Sequence, residues 1–345
     1  SYYNSTIGDI TGDFVGNYTD STDFSVGGAI SNMQGSTIGN ITGDFIGNYA
    51  TVTSSIALGG AILNLAATIG DITGSFINNT AESSNGTALG GAIFSTNALT
   101  ISANDAQTVF SGNKTISNGS TEQNAIAMYS PYLTDEAAAN YGLPSGGFYD
   151  VMTMTCSSEN PAVLTLKATN NGSITFNDTI KGGALDANTL QPIETPETAF
   201  TLNITGDNTS KITLNNDVIN ANITLDNTNL HLGRENVFDQ SQSLTLNSGS
   251  ISLNNNTVGT MHIPTLNLNN NTNLSVDVDL ANESMDRITA DNYSINENAK
   301  LNVNNITLLS TTEKNNVKII FADQQLAQNV QYTGESPIAY SPLYK

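Results

Sequence analysis

The chain has 345 residues, of which 38% are hydrophobic and only 12% charged, and its 10 Lys and Arg against 31 Asp and Glu give a net charge of −21. So acidic a balance excludes the Lys/Arg stripe that displaces counterions from nucleic acid, and it disfavours direct docking on an anionic membrane. The single cysteine, Cys156, excludes an intramolecular disulfide framework, and no apolar run is long enough to span a bilayer.

Asn, Thr, Ser and Gly take up the space that apolar residues leave. Disorder usually combines low hydrophobicity with dense charge, whereas here Ile, Leu, Val and Phe recur at fixed places. Ser5 opens S-T-I-G-D-I-T-G-D-F-V-G-N, Ser36 opens S-T-I-G-N-I-T-G-D-F-I-G-N, and Thr68 opens T-I-G-D-I-T-G-S-F-I-N-N. Ile7, Ile38 and Ile69 are 31 residues apart (38 − 7 and 69 − 38). A second phrase follows each time: Gly27-Gly28-Ala29-Ile30, Gly59-Gly60-Ala61-Ile62 and Gly90-Gly91-Ala92-Ile93. Self-similarity at such a period predicts a stacked repeat architecture with an elongated surface. Because Ser1-Tyr2-Tyr3-Asn4-Ser5 runs straight into a repeat, the chain reads as a fragment of a longer protein.

Residues 1–128 form the repeat region. Ile10, Gly12 and Phe14 alternate with Thr11 and Asp13, which is strand periodicity. Helix is disfavoured, since Gly, Asn, Thr and Ser dominate. A fourth, divergent unit carries Phe110-Ser111-Gly112-Asn113 and Asn124-Ala125-Ile126. Residues 129–160 break the pattern with turn chemistry such as Tyr129-Ser130-Pro131-Tyr132, and they read as an inserted loop in which Asp135–Asn140 offers one or two helical turns. Residues 161–275 return to alternating strands with Asn-rich turns, for example Phe200-Thr201-Leu202-Asn203-Ile204 and Leu244-Thr245-Leu246. Residues 276–345 hold half of the basic residues and read as a β-rich cap that protects the open strand edges.

Stacking explains the repeated residues. Phe14, Phe45 and Phe76 predict an aromatic column, and Asn17, Asn48 and Asn79 an amide ladder of the kind seen in cross-β structure. Gly27, Gly59 and Gly90 predict a corner with positive φ or a close approach of the next layer. Asp13 and Asp44 should lie one layer apart on the outside, as a plain acidic row or as a weak Ca²⁺ site. His231, His262 and Cys156 are isolated, and no phosphate loop, nucleophile elbow or zinc spacing occurs. No cofactor is expected. The 129–150 segment concentrates aromatic residues, so Tyr129, Tyr132, Tyr141, Phe148 and Tyr149 are the candidate binding residues. The alternative is that their rings fold back on the body.

Phe-x-x-Asn alternating with Gly-Gly-Ala-Ile resembles the repeats of polymorphic outer-membrane proteins, which are autotransporter passengers of Gram-negative bacteria. The matching positions are Phe14 to Asn17, Phe45 to Asn48, Phe76 to Asn79 and Phe110 to Asn113, with the three Gly-Gly-Ala-Ile phrases, about a third of the chain. Ser173-Ile174-Thr175-Phe176-Asn177-Asp178 looks like a rung phrase of such passengers, and Asp286-Arg287-Ile288 resembles their C-terminal end. The resemblance implies an all-β fold: a right-handed parallel β-helix, or β-solenoid, with a β-rich C-terminal cap. It also implies export to the cell surface or outer membrane, or secretion, with membrane attachment only through a C-terminal barrel that this sequence lacks.

The function expected from it is a structural stalk or adhesin whose partner is a host glycan, a surface protein or another copy of itself. A polysaccharide-cleaving lyase or glycosidase is the alternative, which would need clustered carboxylates, and a phage tailspike-like protein is a third.

Overall fold

The computed structural model describes residues 1–150, 153–311 and 318–334 of this chain. The fold is all-β with long parallel sheets, and the described residues hold one short α-helix, Asp135–Asn140. Strands in the first units are only two to four residues long, because a Gly, Asn or Ser interrupts each of them. The first unit consists of Thr6–Ile7, Ile10–Thr11, Phe14–Val15, Tyr18–Ser21, Phe24–Val26 and Ile30–Met33.

Each of these strands pairs in parallel with its own copy in the next unit. Thr6 faces Thr37, Ile10 faces Ile41, Phe14 faces Phe45, Tyr18 faces Tyr49, Phe24 faces Ile56 and Ile30 faces Ile62. A slip of one residue would turn every inward side chain outward. The constant register keeps Ile38, Ile41, Phe45, Ile72 and Phe76 buried.

The Gly-Gly pair serves two needs. Gly59 has φ +67°, and a Cβ there would lie 2.0 Å from the Ile62 carbonyl oxygen. Its neighbour Gly60 has an ordinary φ, but a Cβ would sit 2.1 Å from the Gly91 carbonyl oxygen in the next layer and 2.5 Å from the Thr80 carbonyl. The first glycine turns the corner and the second lets two layers and a facing strand approach.

Two of the sheets run almost the full described length. One has 10 strands, from Ile10–Thr11 to Arg287–Ile295; the other has 12, from Phe14–Val15 to Val330–Tyr332. Their inward faces share one hydrophobic core from Ile30 to Leu326. A second, smaller core of Ile56, Leu58, Leu63, Leu89, Phe94, Ala127, Tyr129 and Leu185 lies beside it. The unit shortens in the second half of the chain. Leu202 faces Ile223, Ile223 faces Leu244 and Leu244 faces Leu266, steps of 21, 21 and 22 residues (223 − 202, 244 − 223, 266 − 244).

Two expected boundaries fall inside strands. Ser120–Leu133 is one strand of 14 residues, so the change expected at 129 comes only after Leu133. Its Ile126 faces Ile93, as the divergent fourth unit requires. Beyond this strand the helix expected at Asp135–Asn140 forms, and where only loop is expected Gly147–Asp150 pairs antiparallel with Thr155–Ser157. Thr272–Asp279 likewise crosses the boundary expected at 276 and pairs in parallel with Leu301–Ser310. The parts of the expected cap at 312–317 and 335–345 lie outside the described residues.

Candidate binding surface

The repeated residues account for most of the polar groups between layers. Phe14 and Phe45 stack with ring centroids 4.6 Å apart, Phe45 and Phe76 4.6 Å, Phe76 and Phe110 4.7 Å, and Phe110 and Phe176 4.3 Å. The fifth ring belongs to Phe176, so the chain leaves the column at Phe110, builds the lateral structure and returns in register.

Beside the rings runs a buried amide ladder. Asn17 Nδ2 donates to Asn48 Oδ1, Asn48 Nδ2 to Asn79 Oδ1 and Asn79 Nδ2 to Asn113 Oδ1, each at 2.9 Å. The second amide hydrogen caps a ring strand: Asn48 Nδ2 also donates to the Phe14 carbonyl and Asn79 Nδ2 to the Phe45 carbonyl, both at 2.9 Å. All the amides point one way, so the last position must only accept. Asp178 occupies it, taking the Asn113 amide at 2.8 Å, the Asn113 N–H at 2.9 Å and the Gly112 N–H at 2.9 Å. Burial pushes its carboxyl above the ordinary range, against the pull of the Asn113 and Gly112 N–H groups.

Asp13 and Asp44 have a similar use on the outside. Asp13 Oδ1 accepts the Asp44 N–H at 3.0 Å, and Asp44 Oδ1 accepts the Ser75 N–H at 2.7 Å. In the neighbouring row Asp9 accepts from the Asn40 N–H at 2.8 Å and Asn40 Oδ1 from the Asp71 N–H at 2.9 Å. Because an amide does the same work as a carboxylate, the row requires an acceptor and not a charge. Among the described residues no group of three His, Cys, Asp or Glu side chains is placed to hold a metal ion. Asp13 and Asp44 thus have a structural use as layer-to-layer acceptors, each through one carboxylate oxygen, beside the weak Ca²⁺ site expected of them.

The five aromatic residues singled out in the sequence divide between core and surface. Tyr129 is fully buried, with its ring parallel to Phe94 at 6.4 Å, and its hydroxyl donates to Glu194. Burial, and then the Glu194 carboxylate, hold that hydroxyl well above the ordinary tyrosine range. It cannot meet a ligand, which corrects the expectation for this residue. Phe148 is also buried, under the edge of Tyr132 at 5.5 Å.

The rest stand on a lateral lobe. Thr134 caps its helix by accepting the Ala137 N–H at 3.2 Å, and Leu133, Ala137 and Ala138 form a small core with Leu143, Tyr149, Cys156 and Ala187 against it. Tyr141 is 54% exposed, its ring 6.1 Å from that of Tyr149, whose hydroxyl reaches the sulfur of the 51%-exposed Met154. These three side chains give the lobe a continuous apolar and aromatic outer surface. Such a surface can stack on the apolar face of a sugar or take an apolar protein side chain.

Further polar residues lie in the interior. Asn32 Nδ2 donates to Asn64 Oδ1 and Asn64 Nδ2 to Ser95 Oγ, both at 3.1 Å, a second ladder beside the Gly-Gly-Ala-Ile strands. The step of about 31 residues between them was the available signal. Asp277 and Asp286 are both fully buried. Asp286 accepts the Asp277 N–H at 2.6 Å and the Gly259 N–H at 3.0 Å, and Asp277 accepts from the Asn255 and Asn256 N–H groups at 2.9 and 2.7 Å. Burial, with the neighbouring Asp277 and Glu235 carboxylates, pushes Asp286 up to about 7. Asp286 stands out in the sequence only through the phrase Asp286-Arg287-Ile288, and no repeat signals that it is buried beside Asp277.

Compared with protein-family models, with curated proteins and with solved structures, the chain gives no match.

Proposed function

We propose that the chain is a right-handed parallel β-helix that acts as a stalk or adhesin, displayed on a Gram-negative cell surface as part of an autotransporter passenger. The carrying observation is the in-register parallel stacking of like residues, in which the repeated Asn, Asp and Phe side chains are consumed by contacts between layers. A chain that spends its recurring polar residues this way builds length, and it leaves recognition to surfaces at its sides. Here the lateral lobe presents Tyr141, Tyr149 and Met154. Weak contacts from many displayed copies add up through multivalency. Glycan cleavage is the weaker reading, because Asp277 and Asp286, the carboxyl groups a catalytic pair would be sought in, are buried among backbone N–H donors.

Beads coated with the purified chain are expected to adhere to cultured epithelial cells or to clump with one another. Tyr141→Ala with Tyr149→Ala should reduce that several-fold at unchanged circular dichroism. Folded, coated beads that neither adhere nor clump would overturn the adhesive reading, and a compact particle in small-angle scattering would overturn the elongated one.

A further inference from the structure

The outward face of the 10-stranded sheet carries an ordered, uncharged array. Register places Thr165, Asn203, Thr224, Thr245, Asn267 and Ser294 in one column across consecutive strands. Two residues earlier on the strands from Thr201 onward, Asn222, Ser243, Thr265 and Asn292 continue from Thr201 in a second column, which begins at Val163 on the strand before. The residues between the columns, Leu202, Ile223, Leu244 and Leu266, are buried, so the alternation of the strand turns both columns outward. Neighbours within a column are about 4.8 Å apart, and the columns about 6.7 Å apart.

Apart from Val163 at the start of the second column, every position in these two columns carries a hydroxyl or an amide, and none is charged, although the chain has a net charge of −21. On this face the charges Lys167 and Asp226 stand one column further on, whereas on the 12-stranded sheet Lys211 and His231 lie within the corresponding outward columns. Some members of the array are already tied to the next strand. Ser243 Oγ donates to Asn222 Oδ1 at 2.8 Å, and Asn267 Nδ2 donates to Thr245 Oγ1 at 3.0 Å. Each bond fixes a rotamer while using only part of the side chain's donor and acceptor capacity, so less entropy remains to be lost when a ligand binds.

The occupant follows from the charge and the repeat. A polyanion would meet a strongly acidic chain with no cation in the array, and a cationic ligand would find no carboxylate there. We propose that this face binds an extended, uncharged polysaccharide lying along the stacking direction, its hydroxyls exchanging hydrogen bonds with successive strands. This rests on the adhesive reading and names the ligand class for it, on a surface separate from the lobe.

The probes are immobilised hexasaccharides of β-1,4-linked glucose and of β-1,4-linked N-acetylglucosamine, with their trisaccharides and an anionic hexagalacturonate. Retention of at least one uncharged hexasaccharide is expected, at least tenfold better than its trisaccharide and better than the anionic chain. Thr224→Arg with Thr245→Arg should weaken it at least tenfold, while Thr175→Arg with Thr213→Arg on the other sheet should not. Thr224→Val with Thr245→Val keeps the shape, removes the hydroxyls and should weaken binding in the same direction, which separates ligand loss from misfolding. No uncharged hexasaccharide retained, or equal loss from both arginine pairs, overturns the proposal. Inhibition of ice growth without glycan binding also overturns it and assigns the array to ordered water. Coated beads that adhere to cells while the chain retains no hexasaccharide sink this inference alone; hexasaccharide binding by a chain whose beads never adhere sinks the adhesive reading instead.

Discussion

Residues 1–128 and residues 200–310 build on the same two long sheets with different rules. The first three units of the first region divide into six short strands each and hold their register at 31 or 32 residues, and the fourth, with four strands, already departs from both rules. The second region keeps mainly two longer strands per unit, and its register steps vary: Lys211 faces Asn229, Asn229 faces Ser250, Ser250 faces Asn273 and Asn273 faces Asn302. The extra strands of the first region enclose the second core and leave no slack, since Gly60 has a backbone oxygen of the next layer where a side chain would start. Where those strands are dropped, only alternation must be preserved. Leu, Ile and Val then point inward, Thr, Ser and Asn outward, and turn length is free to change. Unit length is thus fixed by how many faces must register at once.

The largest test of that contrast is Gly60→Ala. With no room for its Cβ, the unit must shift, and a loss above about 4 kcal/mol is expected. Hydrogen exchange should open the Gly-Gly-Ala-Ile strands while residues 200–310 stay protected, because stacked units couple mainly to their neighbours. Uniform loss of protection along the chain would break the two-region description.

Next comes the shared column. Phe76→Ala should cost about 3–5 kcal/mol and Leu214→Ala about 2–5 kcal/mol, each measured by denaturant unfolding. A Phe76→Ala cost under about 1 kcal/mol would show that the ring column is incidental to the first region.

The second region has its own weak point at Asp286. Its carboxyl is raised from the ordinary 3.8 to about 7, so the folded chain keeps a proton that the unfolded chain has released. Its contribution to stability is full below about pH 4 and is lost as the pH climbs to about 7. Relative to Asp286→Asn, the native chain should lose on the order of a few kcal/mol across that window. Melting curves of the two proteins that stay parallel from pH 4 to pH 8 would refute this.

The smallest effect is expected from Asp13→Asn. The next layer needs only an acceptor, as Asn40 demonstrates, so stability should move by less than about 0.5 kcal/mol. Added Ca²⁺ should leave the melting temperature of both proteins unchanged; a Ca²⁺-dependent rise lost in Asp13→Asn would restore the cation reading.

Much of this is legible in the sequence alone. The 31-residue step sets which residues are neighbours, because each strand pairs with its own copy, and from that Phe14, Phe45 and Phe76 stack and Asn17, Asn48 and Asn79 bond in series. Alternation alone separates inward Leu244 and Leu246 from outward Ser243 and Thr245. What the repeat could not tell was anything that happens once. Tyr129 resembles its loop neighbours in sequence, yet it lies on a strand that enters the second core, where Glu194 from a distant segment takes its hydroxyl. Asp178 ends the amide ladder only because the chain returns to the column after a long excursion, and Asp277 and Asp286 become neighbours only when Ser284–Met285 folds back on Val278–Asp279. Periodic residues meet copies of themselves at a distance written in the sequence, whereas unique residues meet partners that only the path of the chain decides.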